Sequence, residues 1–287
     1  MDPATAAVRT ALSAEGEELF DLFRRPHGRS RPRPDERAVI ESARTGELRA
    51  GGAAAVTYGW GDGERPVLLV HGWESRASRY AKVVARLVER GYSPVSFDAP
   101  GHGESEGDST TLLEYRDIIA ELHRKHGEFE AVVGHSFGVL ATFLALRQGL
   151  RAGRIVAVSP VPDFAYLVDT FCARMRLRPH LGDELRHRIE RDLYPGEEDM
   201  WTRFSVLHRA GDVPLPLLVV HDEDDEAVDP GQAERIVETF GERARLVTTR
   251  RFGHRRILGA PQVVEEITEF VAGGAARAGR PAGVTAR

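Results

Sequence analysis

Gly134-His135-Ser136-Phe137-Gly138 is the stretch on which the reading of this chain turns. It follows the apolar run Ala131-Val132-Val133 and precedes Val139 to Arg147, an apolar segment of helical character. The run reads as a buried strand and the segment as a helix, so the pentapeptide marks a sharp strand-to-helix turn. Its glycines let neighbouring backbone approach closely, and the serine hydroxyl projects above the strand end. The start of the following helix favours negative charge, which an attacking alkoxide and an oxyanion both carry. Ser136 is therefore the candidate nucleophile; the bland alternative is a tight turn without chemistry.

Outward from this turn, short apolar runs alternate with helix-like segments. Val67 to Val70 reads as a strand, Tyr80 to Arg90 as a helix stopped by Gly91, Ser93 to Phe97 as a strand and Leu112 to Lys125 as a helix. Downstream come the strands Ile155 to Val158, Leu217 to Val220 and Ala244 to Thr248, with helices at Gln232 to Phe240 and Val263 to Val271. This alternation predicts an α/β fold, a mostly parallel central sheet flanked by helices. Right-handed crossovers put the strand C-terminal ends on one edge, where sites of such sheets lie.

Residues 161–213 interrupt the pattern, far beyond the ~2–6 residues usual for a connection in such folds. Their Arg, Leu, Phe and Met content and the helical stretches Phe164 to Met175 and Asp183 to Arg191 predict an inserted helical cap over that edge. The expected organisation is an N-terminal extension (1–50), a core (51–160 and 214–272), the cap (161–213) and a disordered tail (273–287) rich in Gly, Ala and Arg. The extension holds a helix around Glu15 to Phe23. The basic run Pro26 to Pro34 then reads as an irregular surface connection, because its prolines cannot continue a helix.

The 287 residues carry a formal net charge of −5, so nothing points to nucleic acid as a partner. One cysteine, Cys172, forms no internal disulfide and builds no zinc site alone; it fits a reducing compartment. No apolar run approaches the roughly 20 residues of a membrane span. The opening Met1-Asp2-Pro3-Ala4 lacks the basic-then-apolar order of a signal peptide. The expectation is a cytoplasmic protein with no membrane partner.

A serine hydroxyl needs a base. Of eleven histidines, His254 in Phe252-Gly253-His254-Arg255 lies between the last strand and the last helix, where a loop returns to the strand C-terminal edge. The imidazole needs a carboxylate, and His221-Asp222-Glu223-Asp224-Asp225-Glu226 follows the strand Leu217 to Val220 directly. Spacing leaves Asp224 and Asp225 both open. A calcium loop is the alternative, but alternating ligands and a central glycine are missing. His71-Gly72-Trp73-Glu74 also leaves a strand end and offers a main-chain N–H for an oxyanion beside that of Phe137. Asp98 to Ser105, with its proline and glycines, reads as a structural turn. His71, His102, His135 and His221 read as turn chemistry, and neither metal nor cofactor is expected.

Together, His71-Gly72-Trp73, Asp98-Ala99-Pro100-Gly101-His102-Gly103-Glu104-Ser105, Gly134-His135-Ser136-Phe137-Gly138, His221-Asp222-Glu223-Asp224-Asp225 and Gly253-His254 resemble the α/β-hydrolase superfamily over roughly Ala53 to Val271. The family's His-Gly-x-x-Asp pattern falls on Asp225, and the residue after His-Gly, Trp73, is implied as the second oxyanion donor with Phe137. A triad of Ser136, Asp225 and His254 follows from the resemblance. Asp222 stands where glycine is usual and Asp229 where proline often follows, so this loop is expected to differ in shape. Asp163, just after the strand Ile155 to Val158, is the fallback acid.

The implied activity is hydrolysis of a small-molecule carboxylic ester or thioester through an acyl-enzyme. Acyl transfer by the same triad is the alternative, and a non-catalytic ligand-binding relative is the reading from a different class. Phe164, Tyr166, Leu167, Phe171, Met175, Trp201 and Phe204 either line an apolar acyl pocket or pack the cap onto the core.

Overall fold

Strands that read as short apolar runs form the centre of a single eight-stranded sheet, in a computed structural model that describes residues 13–273. The disorder expected of residues 273–287 concerns, from residue 274 onward, positions outside the described residues. The strands are β1 (Arg44–Ala50), β2 (Ala53–Gly59), β3 (Pro66–Val70), β4 (Ser93–Asp98), β5 (Ala131–His135), β6 (Ile155–Val158), β7 (Leu217–Asp222) and β8 (Ala244–Thr249). Their spatial order is β1-β2-β4-β3-β5-β6-β7-β8. β1 pairs with β2 and β2 with β4 antiparallel, and every other pairing is parallel.

The helices, in chain order, are α1 (Ala14–Arg24), α2 (Arg37–Glu41), α3 (Ala81–Glu89), α4 (Leu112–His126), α5 (Phe137–Arg147), α6 (Phe164–Arg174), α7 (Pro179–Arg188), α8 (Met200–Arg203), α9 (Gly231–Phe240), α10 (Gly253–Arg256) and α11 (Pro261–Val271). Side chains of a strand alternate between faces, and the sheet uses that alternation to bury both. Val67, Leu69, Val133 and Val156 pack under Val83, Val84 and Leu87 of α3 and Val263 and Ile267 of α11. Leu68, Val70, Val132 and Ala157 meet Tyr115 and Ile118 of α4, Phe143 of α5 and Ile236 of α9. Thr111 starts α4 with a reciprocal cap, its hydroxyl accepting from Glu114 N–H while the Glu114 carboxylate accepts from Thr111 N–H.

The N-terminal boundary of the core needs correction. The sequence reading carried the extension through residue 50, but residues 44–50 are β1, a strand of the sheet. Only Leu48 of β1 is buried, so this edge strand carries no apolar run to announce it. Gly51 and Gly52, at φ 56° and 84°, turn the chain into β2 as a two-residue hairpin that needs positive φ at both positions.

Between β6 and β7 the chain is helical, with α6, α7 and α8 lying where the inserted segment was expected. Phe164, Val168, Leu185 and Phe204 bury their side chains in the same core as α4 and α5. Among the described residues no helix is long and apolar enough to cross a membrane.

Candidate active site

Ser136 occupies the single residue between β5 and α5. Its φ of 53° and ψ of −120° are a strained conformation for a residue with a Cβ, of the order of 1–3 kcal/mol. The surroundings hold it there. Ser136 N–H donates to Val158 C=O at 3.0 Å, and its own carbonyl accepts from Val139 N–H at 3.0 Å. Two glycines admit the crowding: a Cβ on Gly138 would lie 2.3 Å from the Val70 carbonyl oxygen, and one on Gly72 would lie 2.9 Å from Ser136 Cβ.

β8 hands the chain to α10, and His254 in its first turn directs Nε2 to Ser136 Oγ at 3.0 Å. Nδ1 of the same ring lies 2.8 Å from Asp225 Oδ2. Asp225 is in the turn after β7, and its other oxygen accepts from Ala227 N–H at 2.8 Å and Val228 N–H at 2.9 Å. Burial pushes the Asp225 carboxyl up, but the His254 hydrogen bond and charge and the two main-chain donors outweigh it and bring it down to about 2. Ionised, Asp225 only accepts, so Nδ1 carries the hydrogen and Nε2 is left to accept the Ser136 hydroxyl. Ser136, His254 and Asp225 are thus brought together in a linear relay of hydrogen bonds.

The carboxylates left open by spacing separate here. Asp224 Oδ2 accepts from Arg251 N–H at 2.8 Å and does not reach the imidazole. Asp163 caps α6, accepting from Tyr166 N–H at 2.7 Å. Asp222 was noticed only as a departure from glycine, and it proves to be a clamp. Its fully buried carboxylate accepts from Thr249 Oγ1 (2.7 Å), Phe252 N–H (3.2 Å), Gly253 N–H (3.0 Å) and Asp224 N–H (3.1 Å). Burial opposes ionisation, but these donors together hold its carboxyl below the usual range. The loop carrying the acid and the loop carrying His254 are therefore tied through one side chain.

The remaining histidines at strand ends are tied into turns. His71 Nε2 accepts from Ala99 N–H at 3.0 Å, so its Nδ1–H donates to Gly72 C=O at 2.8 Å. His102 Nε2 accepts from Glu74 N–H at 3.1 Å, and its Nδ1–H donates to Pro100 C=O at 3.0 Å. These bonds lock the loop after β3 to the loop after β4, with Trp73 between the fixed points. His221 Nε2 reaches Val228 C=O at 3.0 Å. Among the described residues, the main-chain N–H groups of Trp73 and Phe137 donate to no other residue, and their rings meet edge-on at 5.7 Å.

Ser136, Phe137, Trp73 and His254 border a cavity of about 500 Å³. Of the apolar candidates between β6 and β7, Phe164, Tyr166, Leu167, Phe171 and Met175 line it; Trp201 and Phe204 do not. Phe204 is fully buried against Tyr194, with ring centroids 5.0 Å apart. Leu22 and Phe23 of α1 also line the cavity, a contribution from the extension that local pattern does not reveal.

Comparison with known proteins agrees with this architecture. Residues 67–267 match the sequence model of the Alpha/beta hydrolase family. A non-heme haloperoxidase of Rhodococcus erythropolis is 32% identical over 108 residues, 36% of this chain and 39% of the relative. The match thus spans about two fifths of the length of the curated relatives. An esterase of Pyrococcus furiosus superposes with a TM-score of 0.63 at 19% identity, over 88% of this chain and 98% of that one. A thioesterase domain from the curacin biosynthetic pathway does so with a TM-score of 0.56 at 20% identity, over 80% and 99%. At these identities the likeness is one of fold.

Proposed function

The chain belongs to the alpha/beta hydrolase family, and on that premise we propose that it cleaves a small-molecule carboxylic ester or thioester through an acyl-enzyme on Ser136. The observation that carries this reading is the relay of 3.0 Å from Ser136 Oγ to His254 Nε2 and 2.8 Å from His254 Nδ1 to Asp225, at the wall of an apolar cavity.

Ser136 Oγ attacks the acyl carbonyl while its proton passes to His254 Nε2. Asp225 stabilises the imidazolium and fixes its tautomer. The unengaged N–H groups of Trp73 and Phe137 donate to the oxyanion. Collapse breaks the bond to the alcohol or thiol, which leaves with the proton from His254. Water then repeats the sequence, releasing the acid and restoring Ser136.

The haloperoxidase relatives favour a second fate for the same intermediate. Hydrogen peroxide in place of water would take the acyl group as a peracid and return the proton to Ser136. Transfer to a bound alcohol or amine differs in the same way, by acceptor alone.

The test is hydrolysis of p-nitrophenyl acetate and butyrate by the purified protein and by Ser136→Ala. Turnover by the first and none by the second is expected; equal turnover sinks the assignment.

A further inference from the structure

The family match begins at residue 67, yet the cavity over Ser136 is walled in part by residues far upstream. Phe23 of α1 stands edge-on to Phe171 at 5.3 Å and to Phe164 at 6.0 Å, so α1 and α6 together make one aromatic wall. α1 is not loosely laid on. Leu19 and Phe20 are buried, and Ser13 donates through both N–H and Oγ to the Glu184 carboxylate of α7, each at 2.8 Å.

Behind α1, residues 25–34 run on as a strap that borders the cavity at His27. His27 N–H donates to Glu74 Oε1 at 3.0 Å, one residue from Trp73. The Arg29 guanidinium donates to the carbonyls of Gly103 (3.1 Å), Ser105 and Gly107 (2.6 Å) in the loop after β4. Arg76 donates to Ser30 C=O at 3.0 Å. A proline-bearing strap held this way has little freedom left to lose when a ligand arrives.

Two of the arginines at the cavity are paired with carboxylates, and a third is held by a main-chain carbonyl. Arg255 pairs with Glu74 at 3.0 Å, Arg24 with Asp21 at 2.6 Å, and Arg174 donates to Glu226 C=O at 2.8 Å.

We propose that α1 and its strap form the specificity-determining wall of the acyl pocket, with Phe23 setting the size of the apolar acyl group delivered to Ser136. This rests on Ser136 being the nucleophile, and it adds that selectivity is set by a segment outside the matched family region. Cutting the wall back admits longer chains, and building it out excludes them. A methylene in an apolar pocket changes selectivity by roughly tenfold or more, so the effect is measurable.

The experiment compares kcat/KM on p-nitrophenyl acetate and decanoate for the wild type, Phe23→Ala, Phe23→Leu, Phe23→Trp and the core-facing control Phe20→Leu. The rate of Ser136 labelling by short-chain and long-chain alkyl fluorophosphonates is followed in parallel. Phe23→Ala should raise the decanoate-to-acetate ratio about tenfold, Phe23→Leu should raise it less, and Phe23→Trp should lower it. Phe20→Leu should lower Tm and leave the ratio alone. If Phe23→Ala fails to fold, Phe23→Leu and Phe23→Trp still bracket the wild type. A folded, active set of Phe23 variants whose ratio moves less than about twofold overturns the proposal while leaving the nucleophile intact. A wild type that neither turns over an ester nor labels overturns both.

Discussion

His135 Nε2–H donates to the main-chain carbonyl of His254 across 2.8 Å, so the residue before the serine holds the backbone of the residue facing its hydroxyl. Burial, and then the proximity of His254, push the His135 imidazole down to about 3. It is therefore neutral across the working range, in the tautomer the carbonyl requires. Replacing His135 with Phe leaves that carbonyl unpaired, at about 1–3 kcal/mol, and frees His254 to drift. We expect kcat on p-nitrophenyl butyrate to fall about tenfold with little change in KM. Steady-state kinetics beside a thermal melt checks this; unchanged kcat in a destabilised variant would make His135 purely structural.

Asp222 ties two loops through four donors, and an amide cannot repeat the arrangement, because its NH2 would face N–H groups. Asp222→Asn should lose about 2–3 kcal/mol of stability and lower kcat through misplacement of His254. Denaturant titration measures the first and ester turnover the second. A loss below about 0.5 kcal/mol would reduce the clamp to an incidental contact.

Acid should reveal the same carboxylates. Asp222 and Asp225 titrate below their unfolded range near 3.9, Asp225 at about 2. A depressed carboxyl contributes its stability in full above the unfolded value and loses it as pH falls through the folded one. Urea midpoints should therefore hold steady down to about pH 5 and then decline steeply toward about pH 2. Asp225→Asn should flatten that decline. An equally steep slope in the variant would assign the acid sensitivity elsewhere.

Gly138 has no room for a methyl group. The added carbon would meet the Val70 oxygen at 2.3 Å and the His71 oxygen at 2.6 Å, both main chain and unable to rotate away. Gly138→Ala should cost about 1–3 kcal/mol or more and shift the Phe137 N–H. A thermal melt and the fluorophosphonate labelling rate report on each part separately, and wild-type values for both would mean that the turn yields more easily than its packing implies.

How much of this was legible beforehand depended on whether the relevant neighbours were close in sequence. The Ser136 turn was readable because strand, glycines and helix follow one another. His254 was readable from its place between the last strand and the last helix. Among five consecutive acids, spacing gave no local means of choosing between Asp224 and Asp225, and family resemblance singled out Asp225. The structure separates them by direction: Asp224 turns to Arg251 N–H and Asp225 to the imidazole. The Asp222 clamp escaped notice because its partners Thr249, Phe252 and Gly253 lie 27 to 31 residues away. β1 was missed because an edge strand with one buried side chain has no period to detect.

The contact between Ser13 and Glu184 joins positions 171 apart in the chain. Closing so wide a loop is entropically slow, and little is regained until the distant partner is already in place. The aromatic wall carrying Phe23 is thus expected to arrive late as the nascent polypeptide folds, after the turn at Ser136 has formed from its immediate neighbours. The pocket over Ser136 therefore takes its final shape only when segments from opposite ends of the chain have met.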